Sequence, residues 1–356
     1  MLDLAERPDV SSRGLEVKLQ SGGRSGVLVV VFSQVRIPSG KFGLERLFAK
    51  TQHACVFLND AASQWYLDAE QEIDHAIDLA IAQEQPERII YYGASMGAYG
   101  ALITGLRRQD GEIYAFSPEL ELVIAGTQSA EYLARPAPEK LELLDRLAGD
   151  LRHPVHLLFG LFDWVDTCGY LAVQRLSVSE NLNCYGIAGP HALHDQLYSL
   201  NTIRQLIKTF QRDMAELLAD KNLLYSQSLT DCEALVDLGY ALACGEVPSL
   251  EASEALRSNP GYGLLQAERF ALLGKHYDGA ELLREWHTTL HNDAVMRTAP
   301  KRWRKTFLIR AAELYLQAGQ ASQAHDALAD CIRLFPLDEN MRELAGQLNI
   351  AVPAPN

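Results

Sequence analysis

Gly93-Ala94-Ser95-Met96-Gly97 sets a serine between two glycines. A serine hydroxyl is a weak nucleophile, and it attacks a carbonyl only when a base takes its proton and an acid orients that base. The flanks suit such a serine. Upstream, Arg88-Ile89-Ile90-Tyr91-Tyr92 is a short apolar, β-favouring run that predicts a buried strand. Downstream, Ala98 to Arg108 is rich in alanine and leucine and predicts a helix. Strand, tight turn, serine, helix holds the hydroxyl at the end of a sheet, and so sharp a turn leaves no room for side chains beside the serine. The helix N-terminus aims free N–H groups and a positive dipole end at the chemistry.

In open α/β sheets, functional groups sit at the carboxyl ends of strands. Val155 to Phe159 reads as a strand ending in Gly160-Leu161-Phe162-Asp163, and Leu182 to Ile187 as one ending in Ala188-Gly189-Pro190-His191. His191 is therefore the expected base and Asp163 the expected acid. Each has a rival. His194 lies three residues beyond His191, at the start of the next helix. Asp166 lies one turn beyond Asp163, where an aspartate favours the N-cap of a helix expected over Thr167 to Leu176. Asp60 ends the strand that begins at Ala54 and is a candidate for supporting the site or touching substrate. Two backbone N–H groups must meet a developing oxyanion. Met96 is the expected first donor, and Ser33 or Gln34, in the loop after Val27 to Phe32, the second by position.

Other chemistries fit less well. His191-x-x-His194-Asp195 and His153-x-x-His156 are close pairs, but neither has the His-Glu-x-x-His form, so no metal is expected, and no cofactor. Gly22-Gly23-Arg24-Ser25-Gly26 lacks the Gly-Lys-Ser/Thr of a phosphate loop and precedes a strand, which predicts a hairpin turn.

The elements that must position these groups follow from periodicity. Leu15, Val17 and Leu19 alternate with polar residues as in a half-exposed edge strand, whereas Val27 to Phe32 is apolar throughout, as in a central one. Ala54 to Leu58 and Glu112 to Phe116 are further strands, and Leu67 to Ala82 has helical spacing. A long amphipathic helix is expected from about Asp195 to Leu217. The fold class is α/β, a mostly parallel sheet covered on both faces, with the segment from Ser117-Pro118 to His153 (Pro136, Pro138, and a helix near Lys140 to Ala148) forming at most a short lid.

After about Leu218 strand-like runs stop. Leu265 to Gly274 and Arg310 to Gly319 align, Ala267 with Ala312, Phe270 with Tyr315 and Gly274 with Gly319. This resembles the tetratricopeptide helix-turn-helix pattern, with a longer repeat because His291 to Lys305 intervenes. The domains expected are 1–217, α/β, and 218–356, all-helical. The second is a candidate docking surface for a protein partner. It also carries a basic group around Trp303 (Arg297, Lys301, Arg302, Arg304, Lys305), read either as an anion site or as solvated inter-helix surface.

The order Ser95, Asp163, His191, together with the Gly-x-Ser-x-Gly turn, resembles the α/β-hydrolase superfamily from about residue 14 to 215. Ala115-Phe116-Ser117-Pro118, Asn59-Asp60 and Trp65-Tyr66 resemble bacterial hydrolases associated with glycan-processing gene products. The superfamily resemblance implies esterase, lipase, thioesterase, peptidase or acyltransferase activity and leaves the substrate open. The expected activity is hydrolysis of an ester, a carboxylester or an acyl group on a glycan or small molecule. Acyl transfer by the same residues, or a hydrolase-like scaffold acting in docking, are the alternatives.

Composition sets the outer bounds. Across 356 residues, 48% hydrophobic and 22% charged content describes a soluble globular chain. A formal net charge of −14 argues against nucleic acid and anionic membrane as partners. Six scattered cysteines without a Cys-x-x-Cys pair fit a reducing compartment. With no apolar leader segment at the start, a cytoplasmic location is expected.

Overall fold

Val27 to Phe32, VLVVVF, is wholly buried because it lies mid-sheet with a core on each face. The computed structural model describes residues 9–10, 14–23, 25–133, 141–176, 179–249 and 251–352. Arg24, Pro136, Pro138 and Lys140, named above, lie outside the described residues. One sheet is formed by β1 (Asp9–Val10), β2 (Leu15–Gln20), β3 (Val27–Phe32), β4 (Ala54–Asp60), β5 (Arg88–Ala94), β6 (Glu112–Phe116), β7 (Val155–Gly160) and β8 (Leu182–Ile187). Their spatial order is β1-β2-β4-β3-β5-β6-β7-β8. Strands β3 to β8 run parallel, and β2 is antiparallel to both β1 and β4.

Period-two alternation divides the core. Leu28, Val30 and Phe32 pack with Leu58, Tyr91 and Leu157 on one face, beneath the helices Glu70–Glu84, Met96–Arg108 and Leu141–Ala148. Val29 and Val31 pack with Phe57, Tyr92 and Leu158 on the other, beneath Leu193–Ser199, Thr202–Ile207 and Met214–Ala219. This is a mostly parallel α/β sheet with helices on both faces, followed by an all-helical region.

Two expectations about elements are corrected. The turn at Gly22 to Gly26 does not close a hairpin, because β4 lies between β2 and β3. The connection instead crosses the start of β4, where Gly23 N–H donates to Gln52 O at 2.8 Å, and a Cβ at Gly22 would stand 2.4 Å from Ala54 N. The long helix from Asp195 to Leu217 is three short ones. Asn201, at φ 66°, and Phe210, at φ 55°, take left-handed backbone and stop the first and second, and Asp213 caps the third through Glu216 N–H.

The helical region packs as its alanines and glycines imply. Ala267, Ala280, Ala312 and Ala324 are fully buried where Pro260–Leu272, His276–Asn292, Lys301–Gln317 and Ala321–Leu334 pack in sequence. Gly274 (φ 71°) and Gly319 (φ 73°) form the left-handed turns between paired helices. The α/β core runs past Leu217. Leu223 is buried in it, and Tyr225 N–H donates to Gly186 O of β8 at 3.0 Å. The basic group is spread among different partners: Arg302 pairs with Asp195 at 2.8 Å, Lys305 with Asp338, and Trp303 stacks on Phe162. None of the six cysteines forms a disulfide. Among the described residues no helix is long and apolar enough to cross a membrane.

Candidate active site

Strand β5 delivers Ser95 directly to the helix Met96–Arg108, with the serine at φ 55° and ψ −124°. Such backbone costs a non-glycine residue about 1–3 kcal/mol and persists only where its surroundings impose it. Here they do. Ser95 N–H donates to Phe116 O at 2.8 Å, and Ser95 O accepts from Ala98 N–H at 2.9 Å and Tyr99 N–H at 3.2 Å. A Cβ on Gly93 would lie 2.0 Å from Gly97 O, and one on Gly97 would lie 2.2 Å from Phe32 O. Both glycines are thus required by backbone contact.

Ser95 Oγ lies 2.9 Å from His191 Nε2, and His191 Nδ1 lies 2.6 Å from Asp166 Oδ1. A carboxylate only accepts, so Nδ1 carries a proton toward Asp166 and Nε2 faces the hydroxyl. The second oxygen of Asp166 accepts from Gly160 N–H at 2.8 Å, and the side chain is 1% exposed.

Asp163, the expected acid, is corrected by this geometry. The helix begins three residues earlier than Thr167, at Trp164, so Asp163 takes the N-cap and accepts from Val165 N–H at 2.9 Å and Asp166 N–H at 3.1 Å. Asp166 then stands in the first turn, turned toward His191. Asp60 is elsewhere: its Oδ2 accepts from Gln64 N–H at 2.7 Å and Tyr66 N–H at 3.0 Å, closing the loop after β4. His194 is a core residue, 2.8 Å from Tyr92 Oη through Nε2 and edge-on to Phe116. Burial lowers its pKa to about 4, which keeps it neutral.

Three carboxylates face His191. Burial alone would lower its pKa. The attraction of Asp166, reinforced by Asp163 and Glu119, outweighs burial and raises it to about 9. Burial and the charge of Asp166 raise Asp163 to about 6. Glu119 is also raised by burial, while its Oε2 accepts from Ser129 N–H at 3.2 Å. The sequence reading missed Glu119, although the rule that found the other groups applies to it: it closely follows the end of β6.

Oxyanion donors divide clearly. Met96 N–H, at the first helical position, has no hydrogen-bond partner among the described residues. Ser33 is corrected, since its N–H donates to Leu58 O at 2.9 Å and so belongs to the sheet. Gln34, one residue further, has an N–H with no partner among the described residues. Asp163, Asp166 and His191 place one potential metal-ligand atom each within 4.8 Å of one another. The imidazole nitrogens of that cluster lie against Asp166 through Nδ1 and Ser95 through Nε2.

No protein-family model matches the chain, and no curated protein matches it. Among solved structures it is similar to the capsule O-acetyltransferase of Neisseria meningitidis serogroup A, at 16% identity and a TM-score of 0.40 over 55% of this chain and 93% of that one. It is similar to an esterase from Pyrococcus furiosus at 14% identity and a TM-score of 0.40, over 60% of this chain and 95% of that one. A glycosylation-associated protein complex from Streptococcus agalactiae matches at 19% identity and a TM-score of 0.39, over 58% of this chain and 47% of that one. At such identities and scores these likenesses say nothing of substrate.

Proposed function

We propose that this chain is a serine hydrolase that cleaves an ester through an acyl-enzyme, with Ser95, His191 and Asp166 as its catalytic triad. The observation that carries the reading is the hydrogen-bonded line from Ser95 Oγ through His191 to Asp166 Oδ1, at 2.9 and 2.6 Å, on a strand-turn-helix serine. Ser95 Oγ attacks the acyl carbon as its proton passes to His191 Nε2. Met96 N–H meets the oxyanion, with Gln34 N–H as the second donor. The carbon–oxygen bond to the alcohol breaks, and the alcohol leaves with the proton from Nε2. Water then attacks the acyl-serine, gives its proton to His191, and the acid departs as the proton returns to Ser95.

The Asp166 charge orients the imidazole and stabilises its protonated form throughout. The substrate class proposed is an ester of a small molecule or glycan, and a sugar or thiol acceptor in place of water turns the same steps into acyl transfer. The test is trapping: incubation with short-chain activated esters, followed by peptide mass spectrometry. An acyl group on Ser95 in wild type, absent in a folded Ser95→Ala variant, supports the reading, and products compared with and without acceptor separate hydrolysis from transfer. Turnover undiminished in Ser95→Ala would sink it.

A further inference from the structure

We infer that the C-terminal helices are part of the active site's frame and that Asn259 is a positioning residue, holding the turn that leads into the Asp166 helix against the loop that carries His191. The inference rests on the triad reading above.

The turn that leads from β7 into the helix Trp164–Gln174 is gripped from the helical side at Leu161, Phe162 and Trp164. Asn259 is 0% exposed, and its Nδ2 donates to Leu161 O at 2.8 Å. Its Oδ1 accepts from Gly261 N–H at 2.8 Å as the cap of the helix Pro260–Leu272, so neither end of the amide can turn away. Gly261 itself lies against the turn: a Cβ there would stand 2.0 Å from Phe162 O. The Phe162 ring stacks on Trp303, with centroids 6.0 Å apart and planes at 19°. Trp164 lies under the helix Leu229–Ala243, where a Cβ on Gly239 would be 2.3 Å from its Cγ. Asp163, between these anchors, caps the very helix that presents Asp166.

The histidine loop is held to the same frame. Gln196 is 0% exposed, and its Nε2 donates to Ala188 O at 3.1 Å and Thr298 Oγ1 at 2.9 Å. The turn and this loop also meet each other, through Phe162 N–H to Gly189 O at 3.0 Å. An apolar interface would suffice merely to attach a domain. Two buried side-chain amides, one bonded to the main chain of the turn before the Asp166 helix and one to that of the loop before His191, instead fix position, because a buried amide that loses its partner is penalised. Displacements of about 1 Å cost catalysis about a hundredfold.

The experiment uses the full chain. Asn259→Ser keeps an N-cap oxygen for Gly261 but removes the donor to Leu161 O. Asp338→Ala removes the cap of the remote helix Glu339–Gln347 and serves as a matched loss of stability. His191 is titrated by NMR in each, faced by Ser95, Asp166, Asp163 and Glu119, and the labelling rate with a fluorophosphonate is measured alongside. In Asn259→Ser the loosened Asp166 contact should lower the His191 midpoint by roughly one pH unit and slow labelling by about 10- to 100-fold, while Asp338→Ala changes neither. An Asn259→Ser protein that melts lower yet keeps the wild-type His191 midpoint and labelling rate would overturn the proposal. If wild type itself fails to label, the nucleophile reading falls, and the His191 midpoints still decide the positioning role.

Discussion

His191 meets Ser95 through one ring nitrogen and Asp166 through the other, with Asp163 and Glu119 adding negative charge around it. Because those charges raise its pKa to about 9, the free imidazole becomes a base only as pH approaches that value. Labelling and ester hydrolysis should therefore rise about tenfold per pH unit from 7 toward 9, measured as kcat/KM against pH; a profile already flat at pH 7 would contradict this. The same raised pKa stabilises the fold fully below the unfolded histidine value of about 6.5 and loses that contribution as pH climbs through 9. The two aspartates separate by substitution. Asp166→Asn should lower kcat by about 10⁴, whereas Asp163→Asn, with asparagine as good a cap as aspartate, should stay within about tenfold of wild type. The reverse order in a kcat comparison would restore Asp163 as the acid. That Ser95 and His191 would meet was legible from residue type and strand order. The choice between Asp163 and Asp166 was not, because it depends on whether the helix starts at Trp164 or Thr167, and either aspartate can cap.

The elements readable from sequence were those with one dominant signal. Glu112–Phe116 and Leu182–Ile187 match their apolar runs at both ends, and Val27–Phe32 is buried as a central strand must be. The misread elements turn on long-range pairing or on single residues with left-handed backbone. Nothing local in Gly22 to Gly26 announces that β4 will insert between β2 and β3, and Asn201 and Phe210 break an amphipathic pattern that a periodicity count joins. The turn around Ser95 yields a sharp prediction. Gly97→Ala places a Cβ 2.2 Å from Phe32 O, a rigid main-chain atom, so backbone must shift. The cost should be roughly 3 kcal/mol or more, seen as a fall in Tm together with lost labelling. An alanine variant melting and labelling like wild type would show that the turn is looser than described.

At the scale of the molecule, the helical region and the α/β sheet share the turn before the Asp166 helix. Composition and the Ala267/Ala312 alignment revealed helices packed through small residues, but the contacts of Asn259, Gly239 and Thr298 with the site loops span distances in sequence that no pattern encodes. A chain ending at Tyr225 keeps the strand-edge contact with β8 and the Tyr225 ring on Phe162, yet strips Phe162 of Trp303 and Trp164 of Gly239. It should melt lower than the full chain and label at least about tenfold more slowly, measured by thermal unfolding and probe kinetics. Wild-type labelling by that fragment would instead make the helices a separate docking module. Activation of Ser95 is read by fluorophosphonate labelling of wild type beside Ser95→Ala and His191→Ala, with folding checked by circular dichroism. Wild type should label strongly, and both variants should lose the labelling. A folded wild type that takes up no probe, or a Ser95→Ala variant that labels as well, would contradict that activation.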